Sequence, residues 1–140
     1  MSPDPIQFSA EFLDLSPRIV ASTTVVASPA AAAETIVASI TLPANIAIVS
    51  GILLVGWLAV TVGTAGVSLA LQIRRTSVTG TSIVAGGATT ATAAGLYTRD
   101  ILGLDTGPTM PGQVYKLTLQ VASASAASTV SAVTLAAIAV

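Results

Sequence analysis

Cysteine and histidine are both absent from the 140 residues. Without them, disulfides, thiolate chemistry and the common nucleophilic triads have no parts, and most transition-metal sites lose their usual ligands. Charge is scarce too: five basic and six acidic residues make up 8% of the chain, against about 25% in an ordinary soluble domain. A net charge of −1 argues against a nucleic-acid binder, which shows a basic patch. Aromatics are few, Phe8, Phe12, Trp57, Tyr97 and Tyr115, and too scattered to outline a sugar-binding face. The N-terminus, MSPDPIQFSAEFLDLSPR, lacks the basic and apolar regions of a signal peptide, which speaks against export by that route.

These gaps leave little for chemistry. Asp100 and Asp105 are the candidate carboxylate pair beyond residue 34, in RDILGLDTGPTMPG, where Asp commonly stabilises turns through its own backbone. The same two carboxylates fall short of the acidic ligand density of a calcium site. The stretch GGATTATAAG lacks the lysine and the strand-to-helix setting of a phosphate-binding loop, and reads as a loop tip. The expectation is a chain with no catalytic, cofactor or metal site, and not an enzyme.

What is present is apolar surface. Hydrophobic residues reach 53% with a mean hydropathy of +0.88, and no charge occurs between Glu34 and Arg74. Ile46 to Val62 has the length and hydropathy of a membrane span. Three features oppose a helix there. The run is rich in Val, Ile, Thr and Gly. It is punctuated by Pro43, Asn45, Gly51, Gly63 and Gly66. Its flanks alternate with period two: Ile36, Ala38, Ile40, Leu42; then Val67, Leu69, Leu71, Ile73; later Tyr115, Leu117, Leu119, Val121. That is the pattern of half-buried antiparallel strands.

Between these, ILLVGWLAVTV is apolar on both faces, so it is expected to be central or buried against another subunit. VTVGTAGVSL reads as a hairpin. Strands are predicted at 35–42, 46–50, 53–62, 67–75, 80–85, 95–101, 114–122 and 130–140, giving an all-β antiparallel sandwich or jelly roll over 35–140. Trp57, Leu69, Leu71, Tyr115, Leu117 and Leu119 are the expected core. Arg74 and Arg75 face opposite sides of a strand and are expected to pair with Asp100 or a carboxylate of residues 1–34.

Residues 1–34 carry Pro3, Pro5, Pro17 and Pro29, too closely spaced for a helix or central strand. They read as an extended arm, with Ile6, Phe8, Phe12 and Leu13 as its partner-contacting anchors; an arm folded back on its own domain is the alternative. The arm holds Asp4, Glu11, Asp14 and Glu34 against Arg18, while the remainder holds Arg74, Arg75, Arg99 and Lys116 against Asp100 and Asp105. A surface with so few charges is one expected to be covered by neighbours.

The stretches VTVGTAGVSLALQIRRTSVTGTSI and PGQVYKLTLQVASASAASTVSAVTLAAIAV resemble small virion proteins of tailed bacteriophages, the head decoration (cement) proteins and head- or tail-fibre tips. The resemblance is one of texture and strand rhythm over 35–140. It implies a homotrimer on the outside of an icosahedral shell, partnered by the major capsid protein, stapling neighbouring capsomers with no nucleic acid or membrane involved. A receptor- or glycan-binding fibre tip and a small integral membrane protein are the alternatives.

Overall fold

A computed structural model describes residues 33–43, 50–77, 80–107, 112–121 and 128–140, and the backbone of 19–22. Among the described residues nine strands follow in order: β1 Ile19–Ser22, β2 Glu34–Thr41, β3 Ile52–Val62, β4 Ser68–Arg75, β5 Ser82–Ala85, β6 Thr89–Thr90, β7 Gly95–Asp105, β8 Val114–Val121 and β9 Ser128–Ala139. One sheet has the order β1-β9-β3-β7 and the other β2-β8-β4-β5, with β6 also on β4. Every pairing is antiparallel. The pairs β4·β5, β3·β7, β2·β8 and β1·β9 nest inside one another, like a single long two-stranded ribbon. Folding that ribbon over brings β9 beside β3 and β8 beside β4, which is the double-sheet jelly roll.

Alternation builds the core. Ile52, Leu54 and Leu58 of β3 face Leu69, Leu71 and Leu117 of the other sheet, and all six are buried. Leu119 and Tyr115 are buried on the same inner side of β8. Gly56 has an inner position because a side chain there would strike Ile101 Cγ2 at 2.9 Å and Leu117 Cδ1 at 3.0 Å. Its missing side chain is what lets the two sheets close.

Two expectations need correction, and one alternative falls. Trp57 does not belong to the core: it is 40% exposed. The two sides of β3 are divided as the alternation says, but Trp57 lies with Val55 and Thr61 on the side turned away from the other sheet. The hairpin read in VTVGTAGVSL is absent, since β3 and β4 lie in different sheets; residues 63–67 cross between them, and the Gly66 N–H donates to the Ala91 carbonyl at 2.8 Å. A helical membrane span over 46–62 fails as well, because Ile52–Val62 is a strand. Among the described residues, no helix is long and apolar enough to cross a membrane. Residues 46–49 lie outside the described residues.

Candidate assembly surface

The outer face of the β1-β9-β3-β7 sheet follows from register. Leu104 of β7, Leu53 of β3 and Ile138 of β9 stand in one row across the strands; Leu102, Val55 and Ala136 form the next; Asp100, Trp57 and Thr134 the third. Leu102 is 63% exposed, Leu104 50% and Leu96, further along β7, 63%. A half-buried strand in a one-sided sheet carries polar residues outward. Here two whole rows are apolar, beside a tryptophan. Contiguous exposed apolar surface of this kind marks an interaction site.

The other sheet has the opposite outer face. Arg74 of β4, Lys116 of β8 and Ser39 of β2 stand in one row, Gln72, Thr118 and the exposed Ile36 in the next, and Ala70, Gln120 and Glu34 in the third. Arg74, Glu34 and Thr118 are bonded to one another, as are Lys116 and Ser39. Arg74 holds Glu34 in a two-pronged pair, Nε to Oε1 at 2.7 Å and Nη2 to Oε2 at 3.1 Å, and also donates to the Gly80 carbonyl. Thr118 Oγ1 donates to Glu34 Oε1 at 2.5 Å, and Lys116 Nζ to Ser39 Oγ at 3.0 Å. Burial pushes the Glu34 carboxyl up, but the bonds from Arg74 and Thr118 outweigh it and hold it below its ordinary value.

A second charged group ties the sheets at one end. Asp105, at the end of β7, accepts from Arg75 of β4 at 2.8 and 2.6 Å, from the buried Tyr115 hydroxyl of β8 at 2.6 Å, and from the Gly107 N–H at 3.0 Å. Burial raises the Asp105 carboxyl, and these bonds more than reverse it, leaving it below the usual range. Tyr115 is pushed the other way by burial and by its carboxylate partner. The group is saturated and closed, which suits a structural tie rather than chemistry.

The sequence-derived residues distribute unevenly over this surface. Leu69, Leu71, Tyr115, Leu117 and Leu119 are inside; Trp57 is on the outer apolar face. Ile6, Phe8, Phe12 and Leu13 lie outside the described residues. Asp100 and Asp105 do not meet, since five positions along one strand put them on opposite faces. Arg74 pairs with a carboxylate of residues 1–34, Glu34, while Arg75 takes Asp105 and not Asp100. Among the described residues no cluster of three or more acidic, His or Cys side chains is placed to hold a metal.

Sequence reading missed Leu102 and Leu104 because it ended the strand at 101 and treated Gly103 as the start of a loop. Gly103 lies within β7, and the position takes glycine because a Cβ there would meet Val84 Cγ1 at 2.5 Å. The signal was available: Leu96, Thr98, Asp100, Leu102 and Leu104 keep period two straight through that glycine.

No family model and no curated protein sequence matches this chain. Solved structures do match in fold. A chain of infectious bursal disease virus Gx strain aligns with a TM-score of 0.54 and 17% identity, over 88% of this chain and 32% of that one. A chain of T=1 particles derived from infectious bursal virus gives 0.56 and 16%, over 88% and 31%. Dimeric latent PorU from Porphyromonas gingivalis gives 0.53 and 11%, over 89% and 13%. This chain therefore spans about a third or less of each of these three structures. At these identities the likeness is one of fold, and two of the three come from virus particles.

Proposed function

We propose that this chain is a non-enzymatic structural subunit of a virus particle, a decoration (cement) protein that seats as a homotrimer on the exterior of a phage head and bridges neighbouring capsomers. The observation that carries the proposal is the outer face of the β1-β9-β3-β7 sheet, where Leu96, Leu102, Leu104 and Trp57 stand exposed. The jelly roll shared with virus-particle chains, and the 8% charge of the whole sequence, support the same reading. Mechanism is additive: each copy buries its apolar face against a neighbour, and many copies together stiffen the shell. A standard interface removes roughly 800 Å² per partner at about 25 cal/mol per Å², before the cost of association is subtracted.

Light scattering on detergent-free, size-separated protein tests the self-assembly half. A species near three times 13.8 kDa is the expected result, and a monomer at every concentration would overturn it. The capsid half is tested by co-sedimentation with shells of the major capsid protein. The exposed ring of Trp57 also favours the fibre-tip reading, since aromatic side chains on an open face can stack on a ligand. Glycan-array binding that disappears in Trp57→Ala would move the assignment there.

A further inference from the structure

Of the four sheet edges, three are guarded. β1 and β5 have only four residues each, and β2 is broken by a bulge between Ile36 and Ala38; short edges and bulges both discourage further pairing. β7 differs. It runs for 11 residues, Gly95–Asp105, pairs with β3 in unbroken register, and contains neither proline nor lysine. Among the described residues, no backbone hydrogen bond reaches it from the side away from β3. Among the described residues it is a long open edge beside an apolar face.

The chain also contains an unassigned strand pattern. Between Pro5 and Asp14, Ile6, Phe8, Ala10 and Phe12 alternate with Gln7, Ser9 and Glu11. Set on an edge with the apolar set outward, such a segment would extend the outer face, and Glu11 would fall on the inner side with Arg99. Arg99 is half-buried at that margin, where its Nη2 donates to the Gly87 carbonyl at 2.8 Å. Antiparallel pairing with Glu11 opposite Arg99 puts Phe8 opposite Leu102 and Ile6 opposite Leu104. Both apolar rows then continue by one strand.

We infer that residues 6–12 of one copy add as an antiparallel strand to the β7 edge of a neighbouring copy, in the register that sets Glu11 against Arg99. Such edge addition is a general mode of recognition: backbone bonds give affinity and alternate side chains give register. The distances disfavour donation within one copy. Ile19 stands in the Leu104 row at the far edge of the sheet, about four strand spacings or ~19 Å from the added strand, and Phe12 would lie six residues or ~20 Å down it. The diagonal is ~28 Å, and the seven residues from 12 to 19 span at most ~25 Å. Donor and acceptor therefore sit at opposite edges of one sheet, so the contact is head-to-tail and closes into a ring or continues through a lattice. A β7–β7 pair centred on the strand is disfavoured, because it sets Asp100 against its own copy.

This inference rests on the assembly reading but is separable from it. With no native cysteine, Phe8→Cys combined with Leu102→Cys reports register directly, since cross-strand partners fall within disulfide reach. Leu102 is 63% exposed, and Phe8 lies before the first strand among the described residues; a urea midpoint for each single variant checks that the fold is kept. The expected result, under mild oxidation of the full chain, is a ladder of disulfide-linked multimers. Phe8→Cys with Leu96→Cys, about six residues out of register, should give much less. Mass by light scattering is measured on the unsubstituted chain in parallel. Oligomers without the ladder overturn strand donation while leaving assembly standing; monomers without it overturn both. A disulfide within one chain overturns donation between copies. Dimers from Leu102→Cys alone point to β7–β7 pairing and also overturn it.

Discussion

The two sheets turn opposite chemistry outward. On the β2-β8-β4-β5 side, Arg74, Glu34, Thr118, Lys116 and Ser39 satisfy one another. On the β1-β9-β3-β7 side, leucines, valine and tryptophan stand in rows with one carboxylate, Asp100, among them. The inner faces are alike, so the core needs no such difference. One outer face satisfies its own polar groups; the other leaves Leu96, Leu102, Leu104 and Trp57 exposed, which is what the proposed assembly role would use. The lesson concerns energy as well as shape. The polar side stabilises the single copy through its bonds, whereas on the proposed reading the apolar side contributes mainly to association.

The largest loss of fold stability is expected where the two sheets are tied. Asp105→Ala removes the acceptor of Arg75 and of the buried Tyr115 hydroxyl, and breaking a buried charge pair costs about 3 kcal/mol when one partner keeps some water. Urea midpoints measure it, and a change below about 1 kcal/mol would mean the tie is ornamental. Acid gives the same group a second readout. Asp105 and Glu34 both titrate below their ordinary values when folded. Their contribution is therefore complete above the unfolded carboxylate range and is lost as pH falls through the folded values. Stability should decline below about pH 4, and less steeply in Asp105→Asn than in the parent.

A smaller effect is expected on the polar outer face. Glu34→Ala takes a bidentate partner from Arg74 and an acceptor from Thr118, yet Arg74 keeps the Gly80 carbonyl and Thr118 keeps that of Gln72. About 1 kcal/mol is the expected cost, the size of a partly exposed ion pair with one added hydrogen bond. Sedimentation mass should not change. If Glu34→Ala altered the oligomer instead, the polar face would be an interface too, and the contrast between sheets would fail.

How much of this was legible in the sequence depends on which physical signal each element carries. The alternation in β2, β4 and β8 marked those strands because one face of each is apolar and the other polar. The pattern marks β3 as a strand but not which of its sides is inside, because both faces are apolar; a tryptophan on a strand is more often packed than exposed, and Trp57 departs from that. Sheet membership was beyond the local pattern: the Gly-rich 63–67 segment suits a hairpin and a crossover equally, and only packing of the whole ribbon decides. β1 was hidden in a proline-bearing region, and it exists because β9 offers it an edge. Asp105 was read as a turn residue, since its partners, Arg75 and Tyr115, arrive from the other sheet.

The apolar face gives the smallest effect on folding and the sharpest test of the contrast. Leu102 and Leu104 touch solvent over half or more of their surface, so replacing both with serine removes little burial from the single copy. Fold stability should move by no more than about 0.5 kcal/mol. Their rows, with Val55, Ala136, Leu53 and Ile138 beside them, would nevertheless become interrupted, and association that relies on continuous apolar area should weaken steeply. The expected outcome of Leu102→Ser with Leu104→Ser is an unchanged urea midpoint, measured under dilute conditions where the parent is also monomeric, together with a fall in sedimentation mass at concentrations where the parent is oligomeric. The opposite pair of results, lost stability with retained mass, would mean these leucines belong to the fold of one copy after all.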